Sequence, residues 1–156
     1  NRQRLGLAPK LSAGLRRVKV YFACSITGGR QDEAVYSQLV QAMLADGHEV
    51  PTAAIAGAGY RSLEGHHDAV DVYTRDVTWI EESDALVAEV STPSHGVGYE
   101  ISYALGRGKP VLCLYRRDVL VSKMLTGNTM PGIQVSEYAT VEGGIEAMKD
   151  FLAGLA

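Results

Sequence analysis

No apolar run in this 156-residue sequence approaches the roughly 18–20 residues that a membrane-spanning helix needs. Cysteine is scarce too. Cys24 and Cys113 each fall inside a short apolar run, and neither belongs to a CxxC motif or a Cys/His cluster. We therefore predict no zinc site and expect two reduced core thiols, as is usual in a reducing compartment such as the cytoplasm.

Acidic residues are absent from the first 31 positions, which carry seven lysines and arginines; the first acid is Asp32. The other 125 positions hold 8 of the 15 basic residues and all 18 acidic ones, a net charge of −10. Such an acidic body argues against a nucleic-acid polymer as partner, because binding a phosphate backbone normally needs a basic surface. We place residues 1–17 outside the fold, as a flexible basic arm whose role as a transit peptide or leader stays open.

The motifs of several enzyme classes are also missing. The sequence contains no GxGxxG dinucleotide fingerprint, no GxxxxGK[ST] phosphate loop and no GxSxG serine-hydrolase elbow. His66 and His67 are adjacent, so they do not share a helix face, and no HxxxH or HxH spacing accompanies them. We therefore predict no bound metal.

From Val18 onward, short apolar runs alternate with segments of helical periodicity. Strict alternation of this kind implies right-handed crossovers and a parallel sheet covered on both faces. We therefore predict one doubly wound α/β domain over residues 18–156, with a five-stranded parallel sheet flanked by helices. The predicted strands are 18–24, 48–53 (the weakest), 84–90, 109–116 and 132–138, and the predicted helices include 68–82 and 118–127.

Two loops of this fold combine glycine with hydroxyl residues: 25–30 after the first predicted strand and 91–98 after the third. Ligands of such sheets lie beyond the carboxyl ends of the strands, where the strand order reverses. Glycine lets the backbone approach an anion, and hydroxyl groups and helix N-termini bind one. Each loop alone is also compatible with an ordinary turn, but together they favour one shared phosphate site.

Two carboxylates flank the third predicted strand. Glu100 is placed in the first turn of the following helix among apolar neighbours, and Asp76 at the edge of the apolar stripe of the preceding helix. A buried acid must be hydrogen-bonded or face a ligand cleft, but a helix dipole also stabilises a carboxylate in the first turn. Paired carboxylates cleave glycosidic bonds, one as nucleophile and one as proton donor. Residue spacing leaves the structural and catalytic alternatives open for both.

Tyr21 lies on the first predicted strand, near the loop at 25–30, where it could hydrogen-bond a sugar or a carboxylate. Trp79 and most of the other tyrosines are expected in the core.

Three separated blocks of the sequence resemble a known family: VYFACSITGGRQDEAVY, RDVTWIEESDALVAEVSTPSHGVGYEISYALGRGKPVLCLYR and VSKMLTG. They look like the 2′-deoxynucleoside 5′-monophosphate N-glycosidases of the Rcl type, in the nucleoside 2-deoxyribosyltransferase superfamily. The resemblance implies a homodimeric hydrolase with a Rossmann-like fold that splits a deoxynucleoside monophosphate into free base and 2-deoxyribose 5-phosphate. It also implies that neither a metal nor an organic cofactor takes part.

The resemblance also implies roles for individual residues. Glu100 matches the nucleophile that attacks the anomeric carbon, Asp76 the acid/base, and Tyr21 a tyrosine of the pocket. Ser122 matches a serine that enters the phosphate site of the neighbouring subunit. The remaining expected 5′-phosphate residues are Ser25, Ile26, Thr27, Gly28, Gly29, Arg30, Ser94 and Gly96.

The sequence departs from the family pattern at two positions. Thr27 stands where Rcl-type proteins commonly have arginine, and the expected histidine near Ala53 is missing. Both positions border the expected substrate pocket, so the base and sugar preferences stay open. The alternatives are a nucleoside 2-deoxyribosyltransferase, a CMP-type ribonucleotide hydrolase and a non-catalytic nucleotide-binding module.

Overall fold

The structure, a computed structural model, describes residues 16–26, 30–56 and 67–155, without the side chains of residues 30 and 31. Within those residues, each of the four strands is followed by a helix, as predicted. No helix in these ranges is both long enough and apolar enough to cross a membrane. The elements are β1 (Val20–Cys24), α1 (Arg30–Ala45), α2 (Ala69–Glu82), β2 (Ala85–Glu89), α3 (His95–Gly106), β3 (Val111–Arg116), α4 (Lys123–Thr126), β4 (Ile133–Tyr138) and α5 (Val141–Ala153).

The strands form one parallel sheet in the order β1-β2-β3-β4. The ends of the central strands are level, since Cys24 pairs with Glu89 and Glu89 with Leu114. The loops that follow these strands therefore begin side by side at one edge of the sheet.

The predicted strand over 48–53 is wrong, and the described part of the sheet has four strands rather than five. This segment makes a single parallel bridge, between Lys19 and Glu49, and turns begin at Pro51. Proline has no N–H to donate to a ladder. The hydroxyl of Thr52 accepts the backbone N–H of Phe22 at 3.0 Å, so a side chain replaces the backbone partner that a strand would supply.

The bridged segment also sets the direction of the chain across the sheet. It lies along one edge of β1, while β2 lies along the other. The chain therefore changes direction across the sheet at β1, and open parallel sheets commonly bind ligands at such a point.

Two apolar layers hold the sheet, one on each face. On one face, α1 and α5 pack on the strands through residues such as Leu39 and Met148. On the other face, α2 and α3 do so through Ile80 and Ile101. Helices cover both faces, as predicted.

Both cysteines are free and buried, as expected. Burial raises the pKa of each thiol to about 12, with a smaller contribution from nearby carboxylates at Cys24. Protonated, buried thiols are poor nucleophiles, so both residues act as core side chains.

Candidate active site

A cavity of about 420 Å³ opens between α2 and α3, and both Asp76 and Glu100 line it. Its other walls are mostly apolar or aromatic, including Val72, Val77 and Ile80. The structure thus brings together the two carboxylates that the sequence singled out. A pocket with apolar walls and a few converging polar groups is typical of small-molecule sites.

Glu100 lies one turn deeper in its helix than predicted. Helix α3 begins at His95, with Ser94 as N-cap, and its first turn contains no acidic residue. The electrostatic benefit of a helix N-terminus falls off within the first turn. Because Glu100 lies beyond the first turn, the structure does not support its interpretation as a helix-start carboxylate.

Glu100 is bound by a strand residue. The hydroxyl of Tyr21, on β1, donates a hydrogen bond to Glu100 Oε2. Tyr21 is 2% exposed. Burial, followed by the negative charges of Glu100 and Asp76, raises the pKa of Tyr21 far above its ordinary value. Tyr21 is therefore a permanent hydrogen-bond donor to this carboxylate.

Asp76 is held by its neighbour in sequence. The guanidinium of Arg75 contacts Asp76 Oδ1 through Nε at 2.9 Å and through Nη2 at 2.8 Å. The Arg75 guanidinium also lies 5.0 Å from the centre of the Trp79 ring. Both charged side chains are largely buried, 24% and 22% exposed. The sequence analysis missed Arg75, although a cation next to a candidate catalytic acid was visible in it.

Tyr73 and Tyr99 line the same cavity and remain about half exposed, at 54% and 51%. Their ring centres are 6.2 Å apart and their hydroxyl oxygens 3.4 Å apart. The prediction that most tyrosines are core residues is wrong for these two. They are the cavity's exposed aromatic surface, a shape that suits a flat heterocycle.

Two candidate phosphate residues lie near the nucleophile candidate. The Ser94 hydroxyl accepts the N–H of Val97 at 3.3 Å and so caps α3. A Cβ atom at Gly96 would lie 3.9 Å from Ser94 Oγ and 4.0 Å from Glu100 Oε1. Ser94, Gly96 and Glu100 are therefore neighbours in space.

The candidate residues of the first loop are only partly described. Ser25 is buried and directly follows β1, Ile26 is next, and Arg30 is the first residue of α1. Thr27, Gly28, Gly29 and the side chain of Arg30 lie outside the described residues.

Ser122 lies away from the carboxylates, in a second cavity of about 540 Å³ that it lines together with Ser94. It is the N-cap of α4, where its hydroxyl accepts the N–H of Met124 at 3.2 Å. Leu120 and Met124 line the same cavity and are 94% and 80% exposed.

Within the described ranges, no group of three or more His, Cys, Asp or Glu side chains could hold a metal ion. The polar side chains that line the cavity between α2 and α3 are those of His67, Tyr73, Asp76, Tyr99 and Glu100.

The sequence model of the nucleoside 2-deoxyribosyltransferase family matches residues 20–140, which contain β1 to β4 and both carboxylates. The chain belongs to this family. A curated relative in Methanosarcina mazei is named putative 2′-deoxynucleoside 5′-phosphate N-hydrolase 1. It is 38% identical over 145 residues, which cover 93% of this chain and 90% of the relative.

A second curated relative, from Rattus norvegicus, is named 5-hydroxymethyl-dUMP N-hydrolase. It is 39% identical over 136 residues, covering 84% of this chain and 82% of the relative. Among solved structures, a CMP N-glycosidase from Clostridium botulinum superposes with a TM-score of 0.61 at 20% identity, covering 84% of this chain and 98% of that one. This structural likeness supports the Rossmann-like α/β fold that the sequence predicted.

Proposed function

We propose that this protein is a hydrolase that cleaves the N-glycosidic bond of 2′-deoxynucleoside 5′-monophosphates, releasing the free base and 2-deoxyribose 5-phosphate. The observation that carries the proposal is that Asp76 and Glu100, from two different helices, line one cavity. Relatives named as nucleoside-monophosphate N-hydrolases, similar over most of the chain, support the same chemistry.

Glu100 is the nucleophile of this mechanism. The Tyr21 hydrogen bond holds Oε2, while Oε1 lies on the side of Gly96. Oε1 attacks the anomeric carbon as the bond to the base breaks, which forms a covalent glycosyl-enzyme. The transition state resembles an oxocarbenium ion, and an adjacent carboxylate stabilises that positive charge.

Asp76 is the general acid and then the general base. It gives a proton to the departing base, which takes the electron pair of the broken bond. It then removes a proton from the water that attacks the anomeric carbon and frees Glu100. Because Asp76 is paired with Arg75, the ion pair must loosen when the carboxyl group takes up its proton.

The 5′-phosphate is held where the loops after β1 and β2 meet, by Ser25, Ile26, Thr27, Gly28, Gly29, Arg30, Ser94 and Gly96. The pairing of β1 with β2 and the short separation between Gly96, Ser94 and Glu100 support this placement. A phosphate bound there supplies binding energy away from the reacting bond, which strengthens binding of the substrate.

The working form is a homodimer in which Ser122 of one protomer completes the phosphate site of the other. Exposed apolar side chains around Ser122, namely Leu120, Met124 and Met130, support an interface at this surface. Lone exposed leucines are ordinary, but a cluster in one groove is typical of a contact surface.

A substrate panel tests the activity. Deoxynucleoside monophosphates, including 5-hydroxymethyl-dUMP, the matching ribonucleotides and the nucleosides without phosphate are incubated with the protein, and released base is measured by chromatography. We expect base release from at least one deoxynucleoside monophosphate. Release from none contradicts the proposal, and binding without turnover in calorimetry points to a nucleotide-binding module instead.

The same panel separates hydrolysis from transfer. When a second free base is added, a hydrolase releases sugar phosphate to water, whereas a transferase yields a new nucleoside or nucleotide. Cleavage of CMP in preference to every deoxynucleotide favours the ribonucleotide alternative.

A further inference from the structure

We propose that Asp32, Thr92 and Arg116, which we call the Asp32 cluster, are positioning residues for the 5′-phosphate. By joining the start of α1 to the loop between β2 and α3, the cluster sets phosphate affinity and leaves bond cleavage unaffected. The inference rests on the proposed function, because it assumes that a phosphate binds between these two parts of the chain.

Asp32 connects three elements that are distant in sequence. Its Oδ2 accepts a hydrogen bond from Thr92 Oγ1, 60 residues away, in the loop that joins β2 to α3. Its Oδ1 accepts one from Arg116 Nη1, 84 residues away at the end of β3. Asp32 is the third residue of α1 and is 5% exposed. One buried carboxylate therefore fixes the start of α1 against two neighbouring strand ends.

The loop is anchored at the preceding residue as well. The backbone N–H of Ser91 donates to Glu89 Oε1 at 2.7 Å, and Ser91 Oγ accepts the backbone N–H of Arg116 at 2.9 Å. Ser91 is thus tied to β2 and β3, and Thr92 to α1. Ser94, the candidate phosphate residue and cap of α3, follows only two residues later, so a displacement of Thr92 is passed on to it.

The charges of the cluster fit a positioning role better than general stabilisation. Removing a carboxylate from water costs free energy that its partner only partly restores, so a buried ion pair is weak evidence for stability. A lone negative charge beside a phosphate site would also repel the substrate. Arg116 neutralises Asp32, so the carboxylate can hold the loop without opposing the phosphate.

The cluster is separate from the reacting groups. None of its three residues lines the cavity that holds Asp76 and Glu100. Asp32 and Arg116 therefore reach the reaction only through the position of the loop and of α1. Loss of the cluster should weaken phosphate binding and leave the bond-breaking step unchanged.

The first variant is Thr92→Val, which removes the donating hydroxyl but keeps size and charge. We expect KM for the deoxynucleoside monophosphate and the inhibition constant of inorganic phosphate to rise about 10-fold, the scale of a hydrogen bond to a charged group. We expect kcat for the monophosphate, and cleavage of the nucleoside without phosphate, to stay as in the wild type. Thr92→Ser should restore both constants.

Two further variants complete the test. Asp32→Asn removes the negative charge that pairs with Arg116 and leaves a single acceptor oxygen for Thr92 and Arg116, so it should raise the same two constants. Asp46→Asn, which removes a partly buried ion pair with Lys149 at 3.6 Å just beyond α1, should change neither. Unchanged constants in Thr92→Val and Asp32→Asn, or equal losses with and without the phosphate, overturn the inference. If the wild-type protein cleaves nucleosides as efficiently as it cleaves the monophosphates, the proposed phosphate site itself is wrong.

Discussion

The hydroxyl of Tyr21 donates its hydrogen bond to Glu100 Oε2, joining the first strand of the sheet to the helix that carries the proposed nucleophile. The two residues are 79 positions apart in the chain. The contact fixes one carboxylate oxygen, while the other, Oε1, lies on the side of Gly96. Because Tyr21 is buried among carboxylates, it keeps its proton.

Replacing Tyr21 with phenylalanine should therefore lower kcat by about 10-fold, as expected when a charged group loses a buried donor, with a smaller change in KM. Since the pKa of Tyr21 lies far above its ordinary value, this residue should add no alkaline limb to the wild-type pH profile up to about pH 10. Steady-state kinetics over that range test both statements. Tyr103→Phe is the matched control, because it removes a Tyr–Glu hydrogen bond to the exposed Glu81. Equal effects of the two variants would contradict the assignment.

Glu100→Gln should reduce turnover by at least about 1,000-fold while the protein stays folded. The amide oxygen can still accept from Tyr21, so only the nucleophilic carboxylate is lost. Mass spectrometry of the wild type quenched during turnover should show a covalent sugar-phosphate adduct that the variant lacks. Glu146→Gln, on the exposed side of α5, controls for loss of a negative charge. Near-normal turnover in Glu100→Gln would remove Glu100 from the mechanism.

Asp76→Asn should lower kcat by about 100- to 10,000-fold, the usual range for a lost general acid. The loss should be smaller for a substrate whose base is a better leaving group, such as the 5-fluorouracil deoxynucleotide, because that base depends less on protonation. Asp71→Asn, in the exposed first turn of the same helix, is the control. The same loss for good and poor leaving groups would show that Asp76 is not the acid.

Ser122 offers a test of the proposed dimer that measures activity alone and needs no structure of the interface. If each phosphate site takes Ser122 from the partner, Ser122→Ala and Glu100→Gln variants are separately impaired but restore activity when mixed. The mixed dimer then contains one site with a native Glu100 and a native Ser122. Absence of restoration under conditions where subunits exchange would contradict a shared site.

Glu89 should make stability depend on pH. It is fully buried at the end of β2, and Oε2 has no hydrogen-bond partner in the described part of the chain. Burial raises the pKa of its carboxyl above the ordinary 4.5, offset in part by the hydrogen bond from Ser91. The unfolded chain therefore releases this proton at lower pH than the folded one. The contribution of Glu89 is fully present below pH 4.5 and is lost as the pH rises toward the folded pKa.

Glu89→Gln abolishes this titration and keeps an acceptor for the Ser91 N–H. Relative to the wild type, the free energy of unfolding of the variant should increase as the pH is raised from 4.5 to neutrality. Urea unfolding at several pH values measures the difference, with Glu146→Gln as control. Parallel stability curves for wild type and Glu89→Gln would contradict the assignment.

The sequence by itself determined that a helix follows each of the four strands, that both cysteines are buried and that two carboxylates lie beside β2. These follow from local patterns: apolar runs for buried strands, helical spacing of apolar residues, and glycine where loops meet helices. Such signals depend on neighbours a few positions away. They failed at 48–53, where β-prone residues surround Pro51 and the partner of Phe22 is a side chain rather than a strand.

Tertiary structure decided the rest. Because α3 begins at His95, Glu100 lies beyond its first turn. Tyr73 and Tyr99 line the cavity between α2 and α3 rather than the core. The Asp32 cluster and the Tyr21–Glu100 pair join residues 60 to 84 positions apart. The spacing of residues in the sequence does not reveal such contacts, because the pairing of the strands and the packing of the helices bring these residues together.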